Sequence, residues 1–208
     1  MTKTPIVAAV LALGLPLVAA AAPAVMGHGQ RAAIPAASPD GTCYSNMGSD
    51  TFNAILSQNF EATFAAYSSQ AADDFVLTST CRAKSVDIVG QYFNGSGPAD
   101  SVDLTVYKNQ DNKPGKVLKT FHSRSYTNGA SFHLKVAGTL KSGHYWLSPV
   151  ANMAFGAGGE WGWEVQTEIN GLEAMWQNPG GGFGICPTWD TITNCIGVTG
   201  DFMFSINN

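Results

Sequence analysis

From residue 74 onward, large apolar residues alternate with polar ones, and turn clusters interrupt the alternation at short intervals. A period of two predicts β-strands with one buried face. In residues 101–107, Val102, Leu104 and Val106 share one face, with Asp103 and Thr105 opposite. Residues 85–93 place Val86, Ile88, Gly90 and Tyr92 together. The same pattern puts Phe132, Leu134 and Val136 inward in 131–136, Tyr145 and Leu147 in 143–148, and Phe202, Phe204 and Ile206 in 201–206. The stretch Asn94-Gly95-Ser96-Gly97-Pro98 reads as a turn-rich loop, and Lys113-Pro114-Gly115 as a β-turn ending the next connection. Only residues 53–67 hint at helical spacing, through Ile55, Phe60 and Phe64. Ser57, Asn59 and Thr63 weaken that pattern, so an extended or irregular segment is expected. The expected fold is all-β: a single antiparallel, jelly-roll-like β-sandwich of about eight to ten strands, occupying residues 43–208 as one domain.

The first segment has a different pattern. Lys3 precedes an apolar run over residues 6–22, broken by Gly14 and Pro16, and Ala22-Pro23-Ala24 supplies an A-x-A site. Residues 1–24 therefore read as a secretory signal peptide, cut after Ala24, with 25–42 as a flexible leader rich in Ala, Pro and Gly. The run is shorter than the ~20 residues a membrane span needs and contains a helix breaker. The expected product is secreted or periplasmic, with no membrane span after processing.

Composition sharpens this picture. Charged residues make up 12% of the chain, against about 25% in an average domain, which argues against coiled coils and charge-covered helical bundles. A formal charge of −4 with no run of Lys and Arg excludes nucleic acid as a partner. Four cysteines in an exported chain suggest disulfides. Three pairings are possible. The short spacing of Cys186 and Cys195 favours a local staple, which leaves Cys43 with Cys81. Neither pair has the two-to-four-residue gap of a zinc knuckle.

Three stretches carry a resemblance. They are Ser57-Gln58-Asn59-Phe60-Glu61 leading to Ser69-Gln70-Ala71-Ala72-Asp73-Asp74-Phe75; Tyr92-Phe93-Asn94-Gly95-Ser96-Gly97-Pro98-Ala99; and Trp161-Gly162-Trp163-Glu164 through Trp176-Gln177-Asn178-Pro179-Gly180-Gly181-Gly182-Phe183-Gly184 to the last two cysteines. Over residues 43–208 the chain resembles a secreted bacterial β-sandwich module to which no activity is attached. The resemblance implies an exported β-sandwich with the late disulfide and transfers no catalytic residue.

Candidate chemistry is sparse. In a strand over 160–165, Trp161, Trp163 and Val165 share one face and Glu160, Gly162 and Glu164 the other. One face would then offer Trp161 and Trp163, with Trp176 and Trp189 on loops and Asn178 beside them, as a platform on which sugar rings stack and bond. The competing reading makes Trp161 and Trp163 core. Glu160 and Glu164 would lie roughly 13 Å apart at ~3.3 Å per residue, too far for a glycosidase pair needing about 5 to 9.5 Å, and read as solvated charges. No G-x-S-x-G elbow, H-E-x-x-H or other catalytic spacing occurs. Asp73, Asp74, Asp100 and Asp103, with Asn94, are oxygen donors of the type that binds Ca²⁺ in extracellular sandwiches. No cofactor other than calcium is suggested.

The expected function is a non-catalytic binding module for an extracellular glycan such as a polysaccharide, held by aromatic loops. The alternatives are a structural or interaction protein of the envelope or matrix that binds a surface protein, and a glycoside hydrolase with carboxylates assembled from separate strands.

Overall fold

The computed structural model describes residues 22–33 and 41–208. The proposed signal peptide lies outside these residues except for Ala22, Pro23 and Ala24. In chain order the strands are β1 (Met26–Gly27), β2 (Gln30–Arg31), β3 (Thr42–Asn46), β4 (Asp50–Leu56), β5 (Gln58–Asn59), β6 (Gln70–Leu77), β7 (Cys81–Ile88), β8 (Gly90–Phe93) and β9 (Ser101–Gln110). They continue as β10 (Lys113–Arg124), β11 (Phe132–Leu140), β12 (Gly143–Asn152), β13 (Glu160–Gln166), β14 (Met175–Gln177), β15 (Asp190–Thr191), β16 (Asp201–Phe202) and β17 (Phe204–Asn207). A 3₁₀ helix at Ala62–Tyr67 and two short helices, α1 (Phe155–Gly158) and α2 (Ile192–Ile196), sit between them.

The architecture is sandwich-like and nearly all β, but the strands form three sheets instead of the two of a simple jelly roll. The first has the order β1-β4-β13-β8-β2, with β16 added on β13; the second β10-β9-β12-β6-β14-β15, with β5 beside β12; the third β11-β7-β17-β3. The alternating faces fall where the pattern predicts, with Val102, Leu104, Val106, Phe132, Leu134, Leu147, Phe204 and Ile206 all buried in one core. The predicted strand over 85–93 is split. Val89 turns the chain from β7 in the third sheet to β8 in the first, and Met203 does the same between β16 and β17. The Val89 N–H donates to the Met203 carbonyl at 3.0 Å, so these two corners fuse the first and third sheets into one curled layer against the second.

Two local expectations are corrected. The turn into β10 is Asp111-Asn112, both at positive φ (52° and 61°), a two-residue hairpin of the primed type; Lys113-Pro114-Gly115 already belongs to β10. Residues 25–42 are not wholly a flexible leader, because β1 pairs with β4 and β2 with β8 at the two margins of the first sheet.

Both expected disulfides form, Cys43–Cys81 and Cys186–Cys195. Thr191 caps α2 by accepting from the Asn194 N–H, and Gly197 ends it in the left-handed region. This single helical turn brings Cys195 back to Cys186.

Candidate functional site

The aromatic platform does not exist. Trp161, Trp163 and Trp176 have no exposed surface. Trp161 stacks on Phe132 at 4.4 Å and donates its indole N–H to the Ala130 carbonyl; Trp163 stacks on Phe202 at 4.6 Å and donates to Met203; Trp176 donates to Leu56. A ring packed on both sides and bonded at its nitrogen has no face left for a sugar. Asn178 is equally buried. Its Nδ2 donates to the Ala66 and Ser68 carbonyls, and its Oδ1 accepts from the Phe183 N–H. It pins the glycine-rich loop to the 3₁₀ helix. Only Trp189, set edge-on to Tyr107 at 6.0 Å, keeps some exposed surface.

The aspartates do not converge on a cation either. Asp73 and Asp74 lie inside β6 and are fully buried, so they are not a turn cap. Asp73 accepts from Asn46 Nδ2 and the N–H groups of Phe202 and Asp74; Asp74 accepts from the Leu172 N–H. Donors, not open space, fill their lone pairs. Asp100 is exposed on a loop, and Asp103 binds the Ser123 N–H and faces His122. Among the described residues no cluster of three or more metal-ligating side chains is poised for a metal.

Asp74 also meets His144, with Nε2 at 2.5 Å. Asn109 fixes that ring's tautomer. Trp146 donates to Asn109 Oδ1, so Asn109 Nδ2 must donate to His144 Nδ1, which leaves the proton on Nε2 facing Asp74. Burial pushes the Asp74 carboxyl up; the N–H of Leu172 and His144 pull against it. Asp73 is raised further by burial and by Asp201, whose own carboxyl is pushed to about 6.

Glu160 and Glu164 are buried, contrary to their reading as solvated charges. The signal missed in the sequence is the amino-terminal arm, residues 22–33, which crosses their face. The Ala24 N–H donates to Glu160 Oε1 at 2.6 Å, and Asn94 Nδ2 donates to Oε2 at 2.6 Å. Arg31 donates through Nε and Nη2 to both oxygens of Glu164, at 2.7 and 2.6 Å, and also reaches Asp50. At Gly29 a Cβ would collide with the Tyr92 carbonyl, so the arm's close approach requires glycine. Burial pushes Glu160 up to about 7. Burial and Asp50 together push Glu164 up to about 7 as well, against the fork of Arg31. A carboxylate pair capped in this way has no room for a glycosidic bond.

An apolar concavity lies elsewhere. It is a cavity of about 380 Å³ between the second and third sheets, walled by Val86, Leu104, Val136, Leu147 and Ile206. Exposed Leu118 stands at its mouth. The mouth opens between β10 and β11, the terminal strands of their sheets, which no strand pairing joins. Both strands are bulged, β10 around Val117 and β11 between Lys135 and Gly138. Two side chains bridge the gap: Lys119 donates to the Ala137 carbonyl at 2.9 Å and Arg124 to the Lys135 carbonyl at 3.1 Å. No residue of this cavity was a candidate in the sequence, because core strands and cavity walls share the same alternation.

Comparison with protein-family models, curated proteins and solved structures finds no match to the chain.

Proposed function

We propose that the chain is an exported, non-enzymatic binding module of the bacterial β-sandwich kind its motifs resemble, and that it holds a small apolar molecule between its sheets. The observation that carries this reading is the apolar cavity of about 380 Å³. Its volume falls in the usual ligand range of ~300–1,000 Å³. A close-packed core leaves few voids larger than a water molecule, so an apolar space of this size with a mouth between two unpaired edges favours an occupant. Export rests on the apolar leader and agrees with two disulfides in a low-charge chain.

Titration with the neutral fluorophore N-phenyl-1-naphthylamine tests the reading. Saturable enhancement that disappears in Val136→Trp is expected; no saturable signal would refute it. Export is tested separately by sequencing the amino terminus of secreted material, expected to begin at Val25.

A second reading keeps the glycan partner and rests on Trp189 with Tyr107, an aromatic pair that keeps some exposed surface. Polysaccharide retention lost in Trp189→Ala would favour it.

A further inference from the structure

The mouth of the cavity has a polar side, and that side is cationic. Among the cavity's lining residues the charged ones are Lys119 and Lys141, and no carboxylate joins them. The surrounding chain reinforces this sign. Residues 113–141 contain Lys113, Lys116, Lys119, Arg124, Lys135 and Lys141 and no Asp or Glu, in a protein whose net charge is −4. All six are exposed. They belong to β10, to β11 and to the residue after it, the two strands that frame the mouth.

The cavity also limits the length of its guest. At about 380 Å³ it lies near the small end of the ~300–1,000 Å³ range of ligand sites, which suits a guest with one chain of medium length. Lys119 spends one N–H on Ala137 and lies over the Phe121 ring at 4.5 Å. An ammonium has three donors, so two remain for an anion at the opening.

We infer that the cavity takes a free, medium-length single-chain carboxylate, its tail between the sheets and its carboxylate against Lys119 and Lys141. The inference rests on the reading of this cavity as an apolar-ligand site. It adds the charge of the head group and the direction of entry, tail first through the gap between β10 and β11.

The test is calorimetric titration of the whole chain with dodecanoate and with dodecyltrimethylammonium, below micelle formation. The two share a tail and differ in the sign of the head. Dodecanoate is expected to saturate at one per chain and bind at least about tenfold tighter than the cation. The double variant Lys119→Gln/Lys141→Gln is expected to lose about tenfold for dodecanoate with neutral-fluorophore binding unchanged. Equal affinity for both heads, or no loss in the double variant, overturns the carboxylate inference while leaving the apolar-ligand reading intact. Failure of both amphiphiles and of the fluorophore overturns the two together. Val136→Trp and, in case that variant does not fold, Leu104→Phe are expected to block dodecanoate; binding that survives in a folded variant places the ligand elsewhere and refutes the inference. Cosedimentation with phosphatidylglycerol vesicles that depends on the two lysines, without dodecanoate binding, would move the ligand to a membrane lipid and overturn it as well.

Discussion

Raising the pH from about 5 to about 8 is expected to weaken the fold, and Glu160 gives the effect its clearest cause. In the uncleaved chain its carboxyl is buried beneath the arm and held by two neutral donors, the Ala24 N–H and the Asn94 amide; cleavage after Ala24 removes the first of them. Neither offsets the desolvation of a charge, so the group rises from an ordinary 4.5 to about 7. The folded chain thus holds this proton more tightly than the unfolded chain. The resulting stability is complete below the unfolded value and is lost as pH climbs through about 7. A gap of about 2.5 units at ~1.36 kcal/mol each sets a ceiling of about 3.4 kcal/mol. The arm is one chain thick, so solvent screening reduces this to about 1–2 kcal/mol. Asp201, pushed to about 6, and Asp73 and Asp74, also raised, act in the same direction. The assay is urea unfolding followed by tryptophan fluorescence with the disulfides intact, on the uncleaved chain and its Glu160→Gln variant, across that pH range. Wild type should lose about 1–2 kcal/mol more than the variant. Parallel pH profiles for the two proteins would show that Glu160 is ionised at no cost and refute the reasoning.

Three further outcomes follow from the same contacts. Arg31→Ala leaves Glu164 buried without its forked partner and should cost about 2–3 kcal/mol near pH 8, below the ~3–5 of a fully buried pair because Arg31 is partly exposed; the cost should shrink near pH 5, where Glu164 is protonated, and a pH-independent loss would contradict this. Loop-closure entropy gives about 4 kcal/mol for removing Cys43–Cys81, which spans 38 residues, and about 2.5 kcal/mol for Cys186–Cys195, which spans 9; chemical unfolding of the two double Cys→Ala variants should rank them in that order. Trp163→Ala should cost about 3–5 kcal/mol by thermal or urea unfolding, whereas Trp189→Ala should cost under ~1 kcal/mol; similar losses would mean that burial does not separate these residues.

The alternation of apolar residues was enough to place most of the core, since Val102, Leu104, Phe132 and Phe204 need only the period of two to be assigned inward. It was silent where both sides of a strand are covered. Trp146 lies opposite Leu147 on β12 and is also buried, because Met175 of β14 and the loops carrying Leu172 and Trp189 cover it on the outer face of the second sheet. Sheet membership was equally hidden. Residues 85–93 alternate without a break, yet the strand changes sheets at Val89, a bend set by partners distant in sequence. The glutamates of β13 were misread for the same reason, since the arm that covers them lies about 130 residues upstream. The cysteine pairs were readable because spacing alone limited the choices.

The lysines of β10 and β11 have an ordinary explanation that must be weighed against a ligand. Edge strands commonly carry Lys to prevent pairing with another chain. If that were their whole role, the other exposed edges would carry similar charge. The opposite edge of the third sheet is β3, whose sequence Thr42-Cys43-Tyr44-Ser45-Asn46 has none. The far edge of the second sheet is β15, Asp190-Thr191, and is acidic. Among the edges of the second and third sheets, positive charge is therefore concentrated at the two that border the cavity and absent from the other two; at the first sheet's edge β2, Arg31 is spent on Glu164 and Asp50. Edge protection accounts for lysine on a strand; it does not account for this distribution, which follows the opening between the sheets.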